Sequence, residues 1–284
     1  MMMSTLRSLQ RTSACGRCRG DLIHIMSREV SFGYVIATVE AQLLKNVRLK
    51  AQLLEISDPV VIVNQYQERP IDPAEFGQNV LILNSKTQGL SRSRNLALQN
   101  IDVDFVMICD DDIILVPENI AATRVLIGQD AGAAQYFTQL EKTTGEPWRM
   151  NYEKEAFAIK SLNFNAKRRI QRINSMEQIY NLRFLQAKNL SFNQDFGVGS
   201  NGHQFGEETL MSWSILKAGG QLRYIPLVTR IHPPFSSGTK YSSRQMHTVF
   251  AVYRKVFGFF GIFVFMAFAI KVMARVVQRR IGSV

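Results

Sequence analysis

From residue 31 onward, short apolar runs alternate with segments whose apolar residues recur at helical spacing. Phe32–Val39 predicts a strand, and Glu40–Leu54, with Leu43, Leu44, Val47 and Leu54 in phase, predicts a helix. Pro59–Asn64 (PVVIVN) and Asn79–Asn84 (NVLILN) are continuously apolar, the pattern of strands buried on both faces. Leu90–Asn100 predicts a helix opened by Gly89 and Ser91. Asp104–Cys109 (DFVMIC) predicts a third buried strand that runs directly into Asp110, Asp111 and Asp112, and Pro117–Gly128 resumes as helix. Further on, Gly206-Glu207-Glu208 opens a helix stopped by Gly219 and Gly220, followed by a strand over Arg223–Val228. Repeated β-α units imply an α/β fold, a mostly parallel sheet with covering helices, whose ligands bind beyond the carboxyl ends of the strands. Residues 160–188 break this rhythm. They read as a basic, partly helical insertion or surface helix.

Composition narrows the class. With 284 residues, 46% of them hydrophobic, the chain has ample length for a full core and is not disordered. Three Cys exclude a disulfide scaffold and suit a reducing compartment. The net charge of +11 is unevenly placed: residues 31–159 carry 17 acids against 11 bases, whereas 160–188 carry seven bases and one acid, and 240–284 eight bases and no acid. Inside the last block, Val256–Ile270 is a 15-residue uncharged run flanked by Arg254, Lys255 and Lys271. A bilayer span needs about 20 apolar residues. The reading is therefore a basic, amphipathic or hydrophobic C-terminal helix, over 241–284, that contacts an anionic membrane surface through 250–280 and lies in one leaflet; a span and a buried core helix are the alternatives. Residues 1–30 read as a disordered basic tail, with Met26 as a possible start and Cys15/Cys18 too few for a structural zinc site. Nucleic acid is not an expected partner, because the basic stretch lacks the Gly-aromatic pattern of an RNA-binding sheet.

Three adjacent carboxylates after a buried strand raise one another's pKa, a cost that a divalent cation removes. Oxygen ligands suit Mg²⁺ or Mn²⁺, with substrate phosphates completing the shell. A helix-capping role for the same aspartates is the competing reading. Gly89–Asn95 (GLSRSRN) places small residues and two guanidiniums at a helix start, either an anion grip or a plain cap. Glu207 and Glu208 are dipole partners or a general base. His232, after the last strand, is a structural histidine or a metal ligand.

In order, GLSRSRNLAL at 89–98, the strand with DDD at 104–112, FGEE at 205–208, WSILKAGG at 213–220 and IHPP at 231–234 resemble the family 2 glycosyltransferases of the GT-A (Rossmann-like) fold, over roughly residues 32–235. The likeness is to bacterial capsule, O-antigen or exopolysaccharide enzymes, and it implies a GT-A domain over 31–240. It implies that Asp112 and Asp110 serve as the DxD pair on Mn²⁺ or Mg²⁺, with His232 as a further ligand and Pro117 supporting this register. Thr38, Glu40, Asn64, Arg94, Asn95, Asp110 and Asp111 would border the nucleotide and diphosphate. Glu208 would be the catalytic base, with Glu207 the alternative; the family usually has Asp there. The first strand also departs, reading Ala37-Thr38-Val39-Glu40 in place of the family's Thr-Tyr-Asn. The reaction that the resemblance implies is inverting transfer from a nucleotide-sugar donor, a UDP-sugar, to a saccharide or polyprenyl-diphosphate-linked acceptor, at the cytoplasmic face of a bacterial inner membrane. Rival readings are a polyprenyl-phosphate glycosyltransferase of the same family, a sugar-phosphate nucleotidyltransferase, which TVEAQ after the first strand disfavours, and a non-catalytic basic binding protein.

Overall fold

The computed structural model describes residues 29–234 and 242–281; the expectations for the tail, the Cys15/Cys18 pair and Met26 lie outside the described residues. Strands β1 (Phe32–Val39), β2 (Val60–Gln65), β3 (Val80–Ser85) and β4 (Phe105–Asp110) are parallel, in the spatial order β3-β2-β1-β4. The sheet continues through β8 (Gln178–Asn181), antiparallel to β4 and to β6 (Gln135–Lys142), and β6 is parallel to β9 (Leu222–His232). Short β5 (Ile114–Leu115) and β7 (Phe157–Ile159) run antiparallel on β9. The result is a mixed, mostly parallel sheet of the Rossmann-like glycosyltransferase type.

Two apolar layers cover it. On one face, Leu49 and Leu53 of α1 (Val47–Glu55) and Ile120 and Ile127 of α3 (Pro117–Gln129) pack on Ile36, Ile62 and Met107. On the other lie α2 (Leu90–Gln99), α4 (Phe164–Ile170), α5 (Leu182–Ala187) and α6 (Glu207–Lys217), packed on Val35, Val63, Val106 and Ile108. The same layer receives α7 (Ser243–Phe257) through Val252, Val256 and Phe257. A turn at Gly258–Phe260 then leads into α8 (Gly261–Ile281), which packs back on α7 through Phe250 with Phe265 and Tyr253 with Phe268.

Several expectations need correction. The helix over 40–54 is split: Glu40 and Ala41 take positive φ, a 3₁₀ turn spans Gln42–Lys45, and Asn46 starts α1 by accepting a hydrogen bond from the Leu49 N–H at 3.1 Å. The run at Asn79–Asn84 is an edge strand that exposes Leu81. Residues 160–188 are no insertion, because β8 fills the middle of the sheet with Ile179 and Tyr180 fully buried. Residues 135–142 form β6, paired with β8 and β9. The apolar C-terminal stretch is not a core helix: within Ser243–Ala274 an 18-residue window is long and apolar enough to cross a membrane, and 17% of that window is buried.

Candidate active site

Parallel pairing puts the ends of β1, β2 and β4 at one edge, with Ala37 opposite Asp110 and Thr38 opposite Asn64. A cavity of about 420 Å³ opens there, lined by Thr38, Val39, Glu40, Gln65, Tyr66 and Gln67 on one side. Gln88, Leu90, Val198, Gly199 and the three aspartates close the other.

The aspartates are splayed, each toward a different partner. Asp110 accepts from Arg94 Nη2 at 3.0 Å. Asp111 turns inward and accepts from the Thr38 hydroxyl, while its carbonyl accepts from Asn46 Nδ2 at 3.2 Å. Burial pushes the Asp111 carboxyl up, and the Thr38 hydrogen bond opposes that shift. Asp112 is the open one, 48% exposed, with Oδ1 at 3.2 Å from His232 Nε2. His232 packs edge-on against Trp148 and contacts the Pro233 carbonyl through Nδ1. Burial lowers its pKa, but the hydrogen bond and charge of Asp112 outweigh it, so the imidazole titrates above its usual range.

Thr38, Asp110, Asp111 and Asp112 therefore meet at the cavity. Glu40, Asn64, Arg94 and Asn95 make hydrogen bonds within the protein. Glu40 lines the cavity, yet its carboxylate accepts from the N–H groups of Gln67, Glu68 and Arg69, which hold it below the usual carboxylate range and fix the cavity wall. Asn64 is fully buried; it accepts from the Ala41 N–H at 3.0 Å and donates to the Arg69 carbonyl and to Asn84. Asn95 exchanges hydrogen bonds with the backbone of Phe192 at 2.9 and 2.8 Å. Arg94 is 0% exposed, and its guanidinium bridges Asp110 and Glu207, the latter at 2.9 Å.

The GLSRSRN segment clamps the chain around it. Besides Arg94 and Asn95, the Ser91 hydroxyl donates to the Phe196 carbonyl and the Leu90 N–H to the Val198 carbonyl. Phe192, Phe196 and Val198 sit on the segment leading to α6, and Glu207 begins that helix. The segment comes this close because Gly197 has φ +108°, and a Cβ there would meet Ser91 Oγ at 3.1 Å and the Glu207 carboxylate at 3.4 Å.

At the start of α6 the paired acids separate by role. Glu207 is buried and engaged by Arg94. Glu208 is half-buried; burial first, and then the neighbouring Glu207 charge, push its pKa well above the ordinary carboxylate range. A carboxylate so tuned accepts a proton more readily than an exposed one.

Tyr66, Gln67 and Gln88 line the cavity but were not anticipated. The available signal was their position directly after β2 and before the clamp. Among the described residues no three ligating side chains already converge on a metal position.

No protein-family model and no curated protein sequence matches the chain. Solved structures do. S. aureus TarS superposes with a TM-score of 0.59 at 14% identity over 80% of this chain and 39% of that one. TarS 1–349 with UDP-GlcNAc gives 0.59 at 15% identity, over 80% of this chain and 65% of that chain. TarS 1–349 with UDP gives 0.57 at 15%, over 80% and 64%. The chain spans less than two thirds of each, and at this identity the likeness establishes the fold.

Proposed function

We propose that the protein is a glycosyltransferase that moves a sugar from a nucleoside diphosphate donor, a UDP-sugar, to a hydroxyl of a saccharide or lipid-linked saccharide. The observation that carries this reading is the 420 Å³ cavity at the strand ends, edged by three aspartates, in a fold shared with a protein crystallised with UDP-GlcNAc and UDP. Tyr66 offers an aromatic wall for a nucleobase, and Asp110 to Asp112 mark the diphosphate end.

In this mechanism Glu208 takes the proton from the acceptor hydroxyl as its oxygen attacks the anomeric carbon. The bond from that carbon to the diphosphate oxygen breaks, and the electron pair leaves with the nucleoside diphosphate. A single displacement from the opposite face inverts the centre. Asp112 and His232, with Asp110 beside them, have the oxygen and imidazole donors that fit Mn²⁺, and Mg²⁺ less closely. When bound, such an ion offsets charge on the departing diphosphate. Arg94, enclosed between two carboxylates, holds Asp110 and the Glu207–Glu208 turn in fixed relation; its role is positioning.

The acceptor belongs to surface-polysaccharide synthesis in this reading, and the enzyme sits at the cytoplasmic face of a bacterial inner membrane as a peripheral or monotopic protein. Support comes from Phe259 and Phe260 in the turn before α8 and from Phe263, Met266, Ile270 and Met273, exposed at helical spacing along α8. Because α8 folds back on α7 and leaves its apolar stripe exposed, the arrangement favours an interfacial helix over a straight span.

Titration calorimetry of UDP into the protein, with Mn²⁺ and then with EDTA, tests the donor site beside Asp112→Asn. Binding that needs the metal and fails in the variant is expected. Absence of UDP binding to folded protein with metal present would overturn the UDP assignment.

A further inference from the structure

A second cavity, about 530 Å³, lies along α4 and takes no part in the reaction described above. Its wall carries Lys160, Arg168, Arg169 and Arg172, with Ser161 among them and Glu153 as the acidic group. Arg169 is 3.7 Å from Glu153 and lays its guanidinium on the Phe157 ring. Lys160, Arg168 and Arg172 have no ion-pair partner among the described residues. Cations gathered at one concave surface repel one another and raise the local concentration of anions. Guanidinium forks match phosphate oxygens in pairs.

The position of this groove adds a second argument. Phe164, the first residue of α4, stacks at 5.5 Å on Phe257, and Lys167 stands 5.7 Å over the same ring. Two residues later come Phe259 and Phe260, 68% and 71% exposed, in the turn that leads into the apolar stripe of α8. A basic groove and an apolar stripe are thus joined through one aromatic contact. That pairing matches an interface where acyl chains and phosphate headgroups lie side by side.

We propose that the Lys160/Arg168/Arg172 groove is a phosphate-binding site filled by the headgroup of a membrane lipid, a phosphodiester or diphosphate. It rests on the membrane half of the reading above and is independent of the donor site. The shared chemistry is the phosphate group, and a soluble phosphate is the other source.

The test uses the full chain in vesicle flotation, comparing phosphatidylcholine alone with phosphatidylcholine containing phosphatidylglycerol. Arg168→Gln/Arg172→Gln and, separately, Lys160→Gln are set beside Lys45→Gln/Arg48→Gln, an equal loss of charge on the opposite layer. The wild type is expected to favour the anionic vesicles. The double groove variant should lose roughly ten- to thirty-fold of that preference while keeping its binding to neutral vesicles. The control pair should lose markedly less.

Equal behaviour of groove and control variants would overturn the site, since diffuse charge would then account for the binding. If the wild type bound no vesicles, calorimetry with inorganic pyrophosphate decides. Heat that disappears in the groove variants would support a phosphate site with a soluble source. No heat would overturn the proposal. Failure to bind UDP alongside an intact, groove-dependent vesicle preference would count against the transferase reading alone.

Discussion

Arg94 is enclosed between Asp110 and Glu207, with the Phe192 ring against its guanidinium and the Glu208 charge nearby. Glu207→Ala should therefore leave a buried guanidinium half-paired and cost about 3–5 kcal/mol, read as a lower midpoint in urea unfolding. Glu208→Gln should behave in the opposite way. It should remove about 10²- to 10⁴-fold of turnover while UDP binding is retained. Its stability effect has a definite sign. The folded pKa of Glu208 lies above the unfolded value, so ionising it opposes folding once the pH exceeds the ordinary carboxylate range. Glu208→Gln should thus match the wild type at low pH and become the more stable of the two as pH rises through the folded pKa. Over the same window wild-type kcat should rise, with its acid limb above the usual carboxylate range; a limb at ordinary carboxylate pH would remove Glu208 as the base. Residue types at the site were legible in the sequence, since DDD after an apolar strand and paired Glu at a helix start are local signals. Their partners were not. That Arg94 and Asn95 face inward depends on segments about a hundred positions away.

At the scale of elements, parallel strands with continuous apolar runs were legible because burial on both faces leaves no room for polar alternation. β8 was hidden for the converse reason. Its sequence, QIYN, follows a capping box at Asn174 and Glu177 and sits amid basic residues, so locally it resembles helix. Only the slot between β4 and β6 makes it a strand. The seat of α7 shows a similar dependence. Gly206 has φ +98°, and a Cβ there would lie 2.5 Å from Val252 Cγ2, so α7 rests directly on the turn that opens α6. Gly206→Ala should combine left-handed strain with overpacking, about 2–4 kcal/mol in all. The expected readout is a lower Tm together with faster proteolytic cleavage within 243–257. A Tm unchanged by the substitution would mean that α7 does not bear on this turn.

Over the whole molecule, the docking of α7 joins the proposed base to the apolar stripe through one helix. Phe259→Ser/Phe260→Ser should weaken binding to neutral vesicles by at least about ten-fold, since burying each Phe is worth roughly 1.5–3 kcal/mol. UDP binding should be untouched, because neither residue lines the donor cavity. The sequence by itself determined the fold class, the strand edge where the site lies, the three aspartates, the paired glutamates and the apolar C-terminus. Each of these is written in contiguous residues, as periodicity, run length or clustered charge. Tertiary structure alone decided which aspartate stays open, that the Arg94 segment clamps the chain leading to α6, that β6 and β8 complete the sheet, and that cations on and flanking α4 line one groove. Those outcomes depend on contacts between residues far apart in the chain. Burial then sets the cost of leaving a charge or hydrogen bond unpaired, and local pattern carries no record of that cost.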